Sequence, residues 1–179
     1  IIGIGTVGGG TYDLLTKNHD KILASYDIDV RIKKVLDKDE QKLVNKVKPE
    51  QVCHSIDEIL EDDSISIVVE VMGGVDTAKT FITKILQSGK SVVTANKELI
   101  SKQWAELEKV ARENNVGLYF EASCVGGVPI IRTLNESLQG DNINSIIGII
   151  NGTTNYILTK MTEEGVSYQE ALKEAQQLG

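Results

Sequence analysis

Short runs of β-branched apolar residues recur along this chain with helical patterns between them, and few architectures accept such an alternation. Strand, amphipathic helix and strand in succession read as a βαβ unit, and a series of them builds a mostly parallel sheet with helices on its faces. The strands expected are Ile1–Ile4, Val30–Leu36, Ile65–Val71, Ser91–Thr94, Gly117–Glu121 and Ile143–Ile150. In "DTAKTFITKILQSGK" the spacing puts Ala78, Phe81, Ile82, Ile85 and Leu86 on one helical face, with Asp76 as N-cap and Gly89 beyond the end. "SKQWAELEKVARENN" repeats the logic with Trp104, Leu107, Val110 and Ala111 inward, Ser101 as cap and Asn115 suited to a left-handed turn. Ser55 with Glu58, and Ser167 with Glu170, have the spacing of capping boxes.

At the first strand–helix junction, "IIGIGTVGGG" sets Gly3, Gly5 and Gly8 in the spacing G-x-G-x-x-G. In that context the first glycine permits a tight turn and the second lets backbone approach a pyrophosphate. The third lets helix and strand pack closely, with the anion at the helix N-terminus. A glycine-rich turn without ligand is the plainer reading. The second strand ends in "LDKDE": an acidic side chain there accepts hydrogen bonds from an adenosine ribose, whereas a basic one welcomes a 2′-phosphate. Asp37 and Lys38 offer both, so the pattern favours NAD and leaves NADP open; a solvated charge run is the alternative.

"VVEVMGG" closes a buried strand on Met72, Gly73 and Gly74, which would bring backbone close to a cofactor at the carboxyl edge of the sheet. Glu70 inside that apolar run is a carboxylate in need of partners. "TANK" ends the next strand on the same edge, so Thr94, Ala95, Asn96 and Lys97 join the cofactor-facing set. A lone lysine there snorkels to solvent by default; beside a nicotinamide its ammonium would hold a substrate oxygen or polarise a carbonyl. Cys124, at another strand end, would be a nucleophile only with a base nearby, and His19 and His54 lie far back in the chain. A small buried residue is the better reading. The turn around it presents backbone carbonyls, with the Glu121 carboxylate close by, to a hard cation. At "INGTTN", free N–H groups and hydroxyls at a helix start suit a carboxylate, and ordinary capping suits them equally.

Composition narrows the class. With 179 residues, 41% of them hydrophobic, the chain buries a substantial core. A net charge of −7 with both signs interspersed argues against duplex nucleic acid and anionic membrane. No apolar run approaches the roughly 20 residues of a membrane span. Two cysteines make no disulfide framework. A soluble cytoplasmic protein is expected.

Taken in order, "GIGTVGGG", "VVEVMGG", "GKSVVTANKELIS", "EASCVGGVPIIRTL" and "GIINGTTNYILTKM" closely resemble the homoserine dehydrogenase family, essentially from end to end. The resemblance implies a Rossmann-type doubly wound parallel sheet over 1–125. The beginning of an α+β substrate and dimerisation domain would follow over 126–179. It implies NAD(P)-dependent reduction of L-aspartate 4-semialdehyde to L-homoserine, on the route to threonine and methionine, by a homodimer or larger homo-oligomer. Carried over by residue, Gly3, Gly5, Thr6, Val7 and Gly8 hold the phosphates. Thr94 and Lys97 serve the nicotinamide and substrate side, and Gly152, Thr153 and Thr154 line the substrate pocket. Glu121, with carbonyls at Cys124, Gly126 and Val128, holds a monovalent cation, sodium. Gly179 contacts cofactor. Other readings are a different amino-acid or semialdehyde dehydrogenase with the same first domain, and a dinucleotide-binding module without catalysis. The family's second acid/base lysine would follow Gly179, so the chain as given, with a clipped first strand, is expected to bind cofactor and turn over poorly.

Overall fold

A computed structural model describes residues 1–178; Gly179 lies outside the described residues. The chain divides into two compact units, Ile1–Ser137 and Leu138–Gly179.

The first unit is built on a parallel sheet. Strand β1 (Ile67–Glu70) pairs with β2 (Ser91–Thr94), in register from Ile67 opposite Ser91 to Glu70 opposite Thr94, and β2 pairs with β3 (Leu118–Tyr119). On the other side of β1 the sheet continues as single bridges: Ile2 to Glu70, Ile2 to Leu36, and Val35 to Val52, all parallel. Two of the expected strands are thus present in shortened form. Ile1–Ile4 pairs only at Ile2, where the Ile2 N–H donates to the Val69 carbonyl and the Gly3 N–H to that of Leu36. Val30–Leu36 pairs only over its last residues. Numbered by place in the chain, the order across the sheet is 3-2-1-4-5-6, the order of the dinucleotide-binding doubly wound sheet.

Helices α1 (Thr6–Lys17), α2 (His19–Tyr26), α3 (Glu40–Lys46), α4 (Asp57–Leu60), α5 (Asp76–Gln87) and α6 (Lys97–Glu113) connect these strands. Helix α5 buries the expected stripe of Ala78, Ile82, Ile85 and Leu86, each worth about 1–3 kcal/mol of apolar burial. These join Ile2, Val68, Val92, Leu99 and Leu107 in the main core. Ile4, Tyr12, Val35, Leu43 and Val47 form a second cluster under α1 and α3. Gly89 and Asn115 take the left-handed conformation at their helix ends, as their residue types foretold. The Ser55–Glu58 and Ser167–Glu170 capping boxes are both closed by reciprocal hydrogen bonds.

Three local expectations fail. Asp76 is the first residue of α5 and caps nothing. Helix α6 starts at Lys97, four residues before Ser101, because the Asn96 side chain accepts from the Leu99 N–H; Ser101 sits inside the helix with its hydroxyl on the Glu98 carbonyl. Trp104 is 39% exposed and meets the Phe120 ring edge-on, with centroids 4.6 Å apart, instead of entering the core. After a turn at Glu121–Ser123, α7 (Ile130–Arg132) runs into a wider helical turn, Thr133–Ser137, that ends this unit.

In the second unit α8 (Gly152–Thr159) continues through Lys160–Glu164 and is followed by α9 (Tyr168–Leu178). Lys160 lies between Glu164 at 2.9 Å and Glu174 at 3.2 Å, and the Tyr156 hydroxyl donates to Glu174, so one cation and one phenol tie α8 to α9. The strand expected over 143–150 is not formed: no ladder partner stands beside it among the described residues, and Ile147 and Ile150 are 96% and 90% exposed.

Candidate functional site

The glycines of the first junction divide their labour as the fingerprint requires. Gly3, at φ +95°, passes so close to the next strand end that a Cβ would stand 2.8 Å from the Val71 carbonyl oxygen. Gly8 lies against Gly3 itself; a Cβ there would meet the Gly3 carbonyl oxygen at 1.8 Å. Gly5 has nothing within 4 Å of its Cβ position and is exposed together with Thr6 and Val7. So the first and third glycines are demanded by the fold, and the second faces open space.

That space lies at the start of α1, which has no side-chain cap and no acidic residue in its first turn. The first N–H groups of a helix lack intrahelical acceptors, and the peptide dipoles place about half a positive charge there. The donor set fits a phosphate or pyrophosphate group.

A crevice of about 520 Å³ runs from this point past Asp37, Lys38, Lys42, His54 and Met72. Asp37 is not a free carboxylate: one oxygen accepts from the Ile4 N–H at 2.6 Å and the other from the Asp39 N–H at 2.9 Å. These bonds hold the loop, and each oxygen keeps a further lone pair for a ribose hydroxyl. Asp39 caps α3 by accepting from Gln41 and Lys42. Lys42, His54 and Ser55 are lining residues that sequence reasoning missed; they come from connections after the second strand, and no local spacing ties them to the glycine turn.

On the other side of Val71 and Gly73, a second hollow of about 470 Å³ is lined by Val7, Ala95, Asn96, Lys97 and Ser123. Gly73 and Gly74 both adopt positive φ, turning the end of β1 away from the sheet. Lys97 is the first residue of α6, where the helix dipole disfavours a cation by about 0.3–1 kcal/mol. It is exposed and has no hydrogen-bond or ion-pair partner among the described residues. Glu70, fully buried at the end of β1, accepts from the Met72 N–H and the Thr94 hydroxyl, the partners its sequence position left unnamed.

The remaining site residues are placed less tellingly. The Glu121 carboxylate accepts from the Ile131 and Arg132 N–H groups and so caps α7. The Val128 carbonyl accepts from Ile130. Cys124 is partly buried, and Gly126 and Val128 are exposed. In the second unit the Asn151 side chain caps α8 through the Thr154 N–H, leaving Gly152, Thr153 and Thr154 exposed on its first turn.

Family models match the chain in sequence order: the NAD-binding domain of homoserine dehydrogenase over residues 3–121, and homoserine dehydrogenase over 129–179. The chain belongs to the homoserine dehydrogenase family. It is 44% identical to the homoserine dehydrogenases of Lactococcus lactis and Bacillus subtilis, in each case over all of this chain and 42% of that protein. The homoserine dehydrogenase structure from Thiobacillus denitrificans superposes with a TM-score of 0.92 at 36% identity, over 99% of this chain and 41% of that one. A hyperthermophilic archaeal homoserine dehydrogenase in complex with NADPH gives 0.83 at 32% identity, over 99% of this chain and 60% of that one. The chain therefore spans about two fifths of the length of the curated relatives it matches. No helix among its described residues is long and apolar enough to cross a membrane.

Proposed function

We propose that the protein carrying this chain reduces L-aspartate 4-semialdehyde to L-homoserine with NADH or NADPH, in the synthesis of threonine and methionine. The reading rests on one juxtaposition: an uncapped helix start above an open glycine, and an unpartnered lysine two strands along the same edge of the sheet. When bound, the dinucleotide supplies the reducing hydride. The α1 start, with Gly5, Thr6 and Val7, holds its phosphates, and Met72–Gly73 and Ala95–Asn96 flank its nicotinamide half, while Thr94, fully buried, supports them from behind through Glu70. The Lys97 ammonium holds the substrate's reacting oxygen, where a positive charge stabilises the alkoxide as it forms. Taken by itself, the first turn of α8 in the second unit, with Gly152, Thr153 and Thr154 exposed, offers N–H groups and hydroxyls that suit a carboxylate.

For the adenosine end the reading is dual specificity. Asp37 retains acceptor capacity for a ribose, while Lys38 and Lys42 bring cations to the same crevice and suit a 2′-phosphate. The monovalent cation reading rests on an all-oxygen set, Glu121 with the Cys124, Gly126 and Val128 carbonyls, in which each Glu121 oxygen has a lone pair left after capping.

The test is homoserine-dependent reduction of NAD⁺ and NADP⁺ by the whole purified protein that carries this chain, and by its Lys97→Ala variant. Activity in the first, and a loss of about a hundredfold in kcat/KM with unchanged melting in the second, are expected. Absence of homoserine-dependent reduction by the unsubstituted protein overturns the assignment; unchanged kinetics in the variant returns Lys97 to the ordinary surface.

A further inference from the structure

Among the described residues Glu70 is the one buried carboxylate, and its setting is costly. Its side chain is fully buried at the end of β1, with no lysine, arginine or histidine in ion-pair distance among the described residues. An unpaired buried charge is normally replaced or neutralised unless its geometry is needed.

The hydrogen bonds around it form a closed circuit. One carboxylate oxygen accepts from the Met72 N–H at 2.9 Å, and the other from the Thr94 hydroxyl at 2.7 Å. The Thr94 oxygen in turn accepts from the Asn96 N–H at 3.0 Å. The Asn96 amide nitrogen donates to the Gly74 carbonyl, and its oxygen accepts from the Leu99 N–H, capping α6 at Lys97. The circuit closes through Met72–Gly74. It joins two strand ends, β1 and β2, with the helix start that carries Lys97.

A carboxylate is the side chain this circuit requires. It accepts at both oxygens, whereas a glutamine keeps one acceptor for the Met72 N–H and turns a donor toward Thr94, whose hydroxyl must then rotate away and accept instead. Because Thr94 donates to Glu70, its lone pairs are left facing Asn96, and the direction of the circuit follows from the two acceptor oxygens at its centre. We propose that Glu70 is a positioning residue for the reduction: it sets the register between the Met72–Gly74 loop and the Asn96–Lys97 helix start, and hence where the Lys97 ammonium stands relative to the nicotinamide. This inference rests on the function proposed above.

The experiment is steady-state kinetics of homoserine oxidation for E70Q, N96A and E70Q/N96A, with T94V as a second way of opening the circuit without touching the carboxylate. E70Q is expected to lower kcat about tenfold with little change in the KM for homoserine. T94V should reproduce that split, and the double variant should lose far less than the product of its two single losses, since both break one circuit. Wild-type kcat in E70Q, or losses that multiply independently in the double variant, overturns the proposal. If E70Q does not fold, T94V decides: a wild-type kcat there overturns the proposal equally. Failure of the functional reading is distinct, because it is seen in the unsubstituted protein as an absence of homoserine-dependent turnover.

Discussion

A single methyl group, added first at Gly8 and then at Gly5, should separate what the glycine turn does for the fold from what it does for a ligand. At Gly8 the new Cβ stands 1.8 Å from the Gly3 carbonyl oxygen, and its neighbour Gly9 is bonded back to the Gly5 carbonyl at 2.7 Å. Comfortable contact is about 3.5 Å, so α1 must retreat by more than about 1.5 Å from the strand. Such a shift pulls Tyr12 out of the cluster it shares with Val35 and Leu43. Overpacking of this kind costs about 1–3 kcal/mol, and a rigid carbonyl as the obstacle puts Gly8→Ala at the upper end. For a chain of this length about 3 kcal/mol lowers the melting temperature by about 6–12 °C. At Gly5 the methyl meets nothing, and the backbone angles of φ −65° and ψ −159° are open to alanine. The weaker cap costs about 0.5 kcal/mol, and the lost freedom of the unfolded chain returns about as much. Gly5→Ala should therefore melt within about 2 °C of the parent. Its dissociation constants for NADH and NADPH should nevertheless rise about tenfold or more, a loss of about 1.4 kcal/mol, because the methyl occupies the approach to the pyrophosphate. Circular dichroism melts of the ligand-free proteins and calorimetric titration with each dinucleotide measure the two effects. Parental melting in Gly8→Ala would show that α1 yields freely at this contact. Parental affinity in Gly5→Ala would show that no ligand backbone passes there.

Two further outcomes follow from the charges. Lys38→Glu should raise the dissociation constant for NADP⁺ about tenfold and leave that for NAD⁺ within about twofold, since only the former carries the 2′-phosphate; equal losses would make Lys38 a general attractant. Glu58 is held below the usual carboxylate range chiefly by the His54 N–H, with the Ser55 N–H adding to it. A depressed folded pKa gives stability that is present above the unfolded value, about 4.3, and lost as pH falls through the lower folded value. Urea midpoints at pH 6 and pH 3 should therefore converge between parent and Glu58→Gln as the pH falls; a constant gap would exclude the linkage.

How far the sequence announced this structure depends on the range of the interaction involved. The left-handed residues Gly89 and Asn115, both capping boxes and the apolar face of α5 were legible because each is settled within a few residues. The start of α6 was not, although Asn96 and Ser101 are both good caps. The choice was made by Gly74, whose carbonyl holds the Asn96 side chain in place from a different strand end. "INSIIGII" was read as a strand from its β-branched content, yet β propensity measures fit to a pleated, half-buried surface and supplies no partner for the ladder. In the site, the glycine spacing foretold the tight turn at Gly3 and the close helix–strand packing at Gly8. The Asp37 bonds to the backbone and the lining contributed by Lys42 of α3 and by His54 arise from segments that no periodicity relates.

The two helix starts at this edge of the sheet resolve an electrostatic difficulty. A chain of net charge −7 repels a dinucleotide that is itself an anion. Helix α1 begins without a side-chain cap or a carboxylate, so its free N–H groups face outward uncompensated. Helix α6 does the reverse: Asn96 satisfies one of its N–H groups, and Lys97 then adds a full charge to an end that is already positive. Neither arrangement is what helix stability alone selects, since a capping serine or aspartate at Gly5 and a glutamate at Lys97 would each be more favourable. Both departures lie on one edge and have the same sign. Both therefore bring positive charge to the edge where phosphate and a developing alkoxide would stand. The local cost to helix stability at α1 and α6 is on this account the physical signature of the site, more specific than the glycine pattern that first pointed to it.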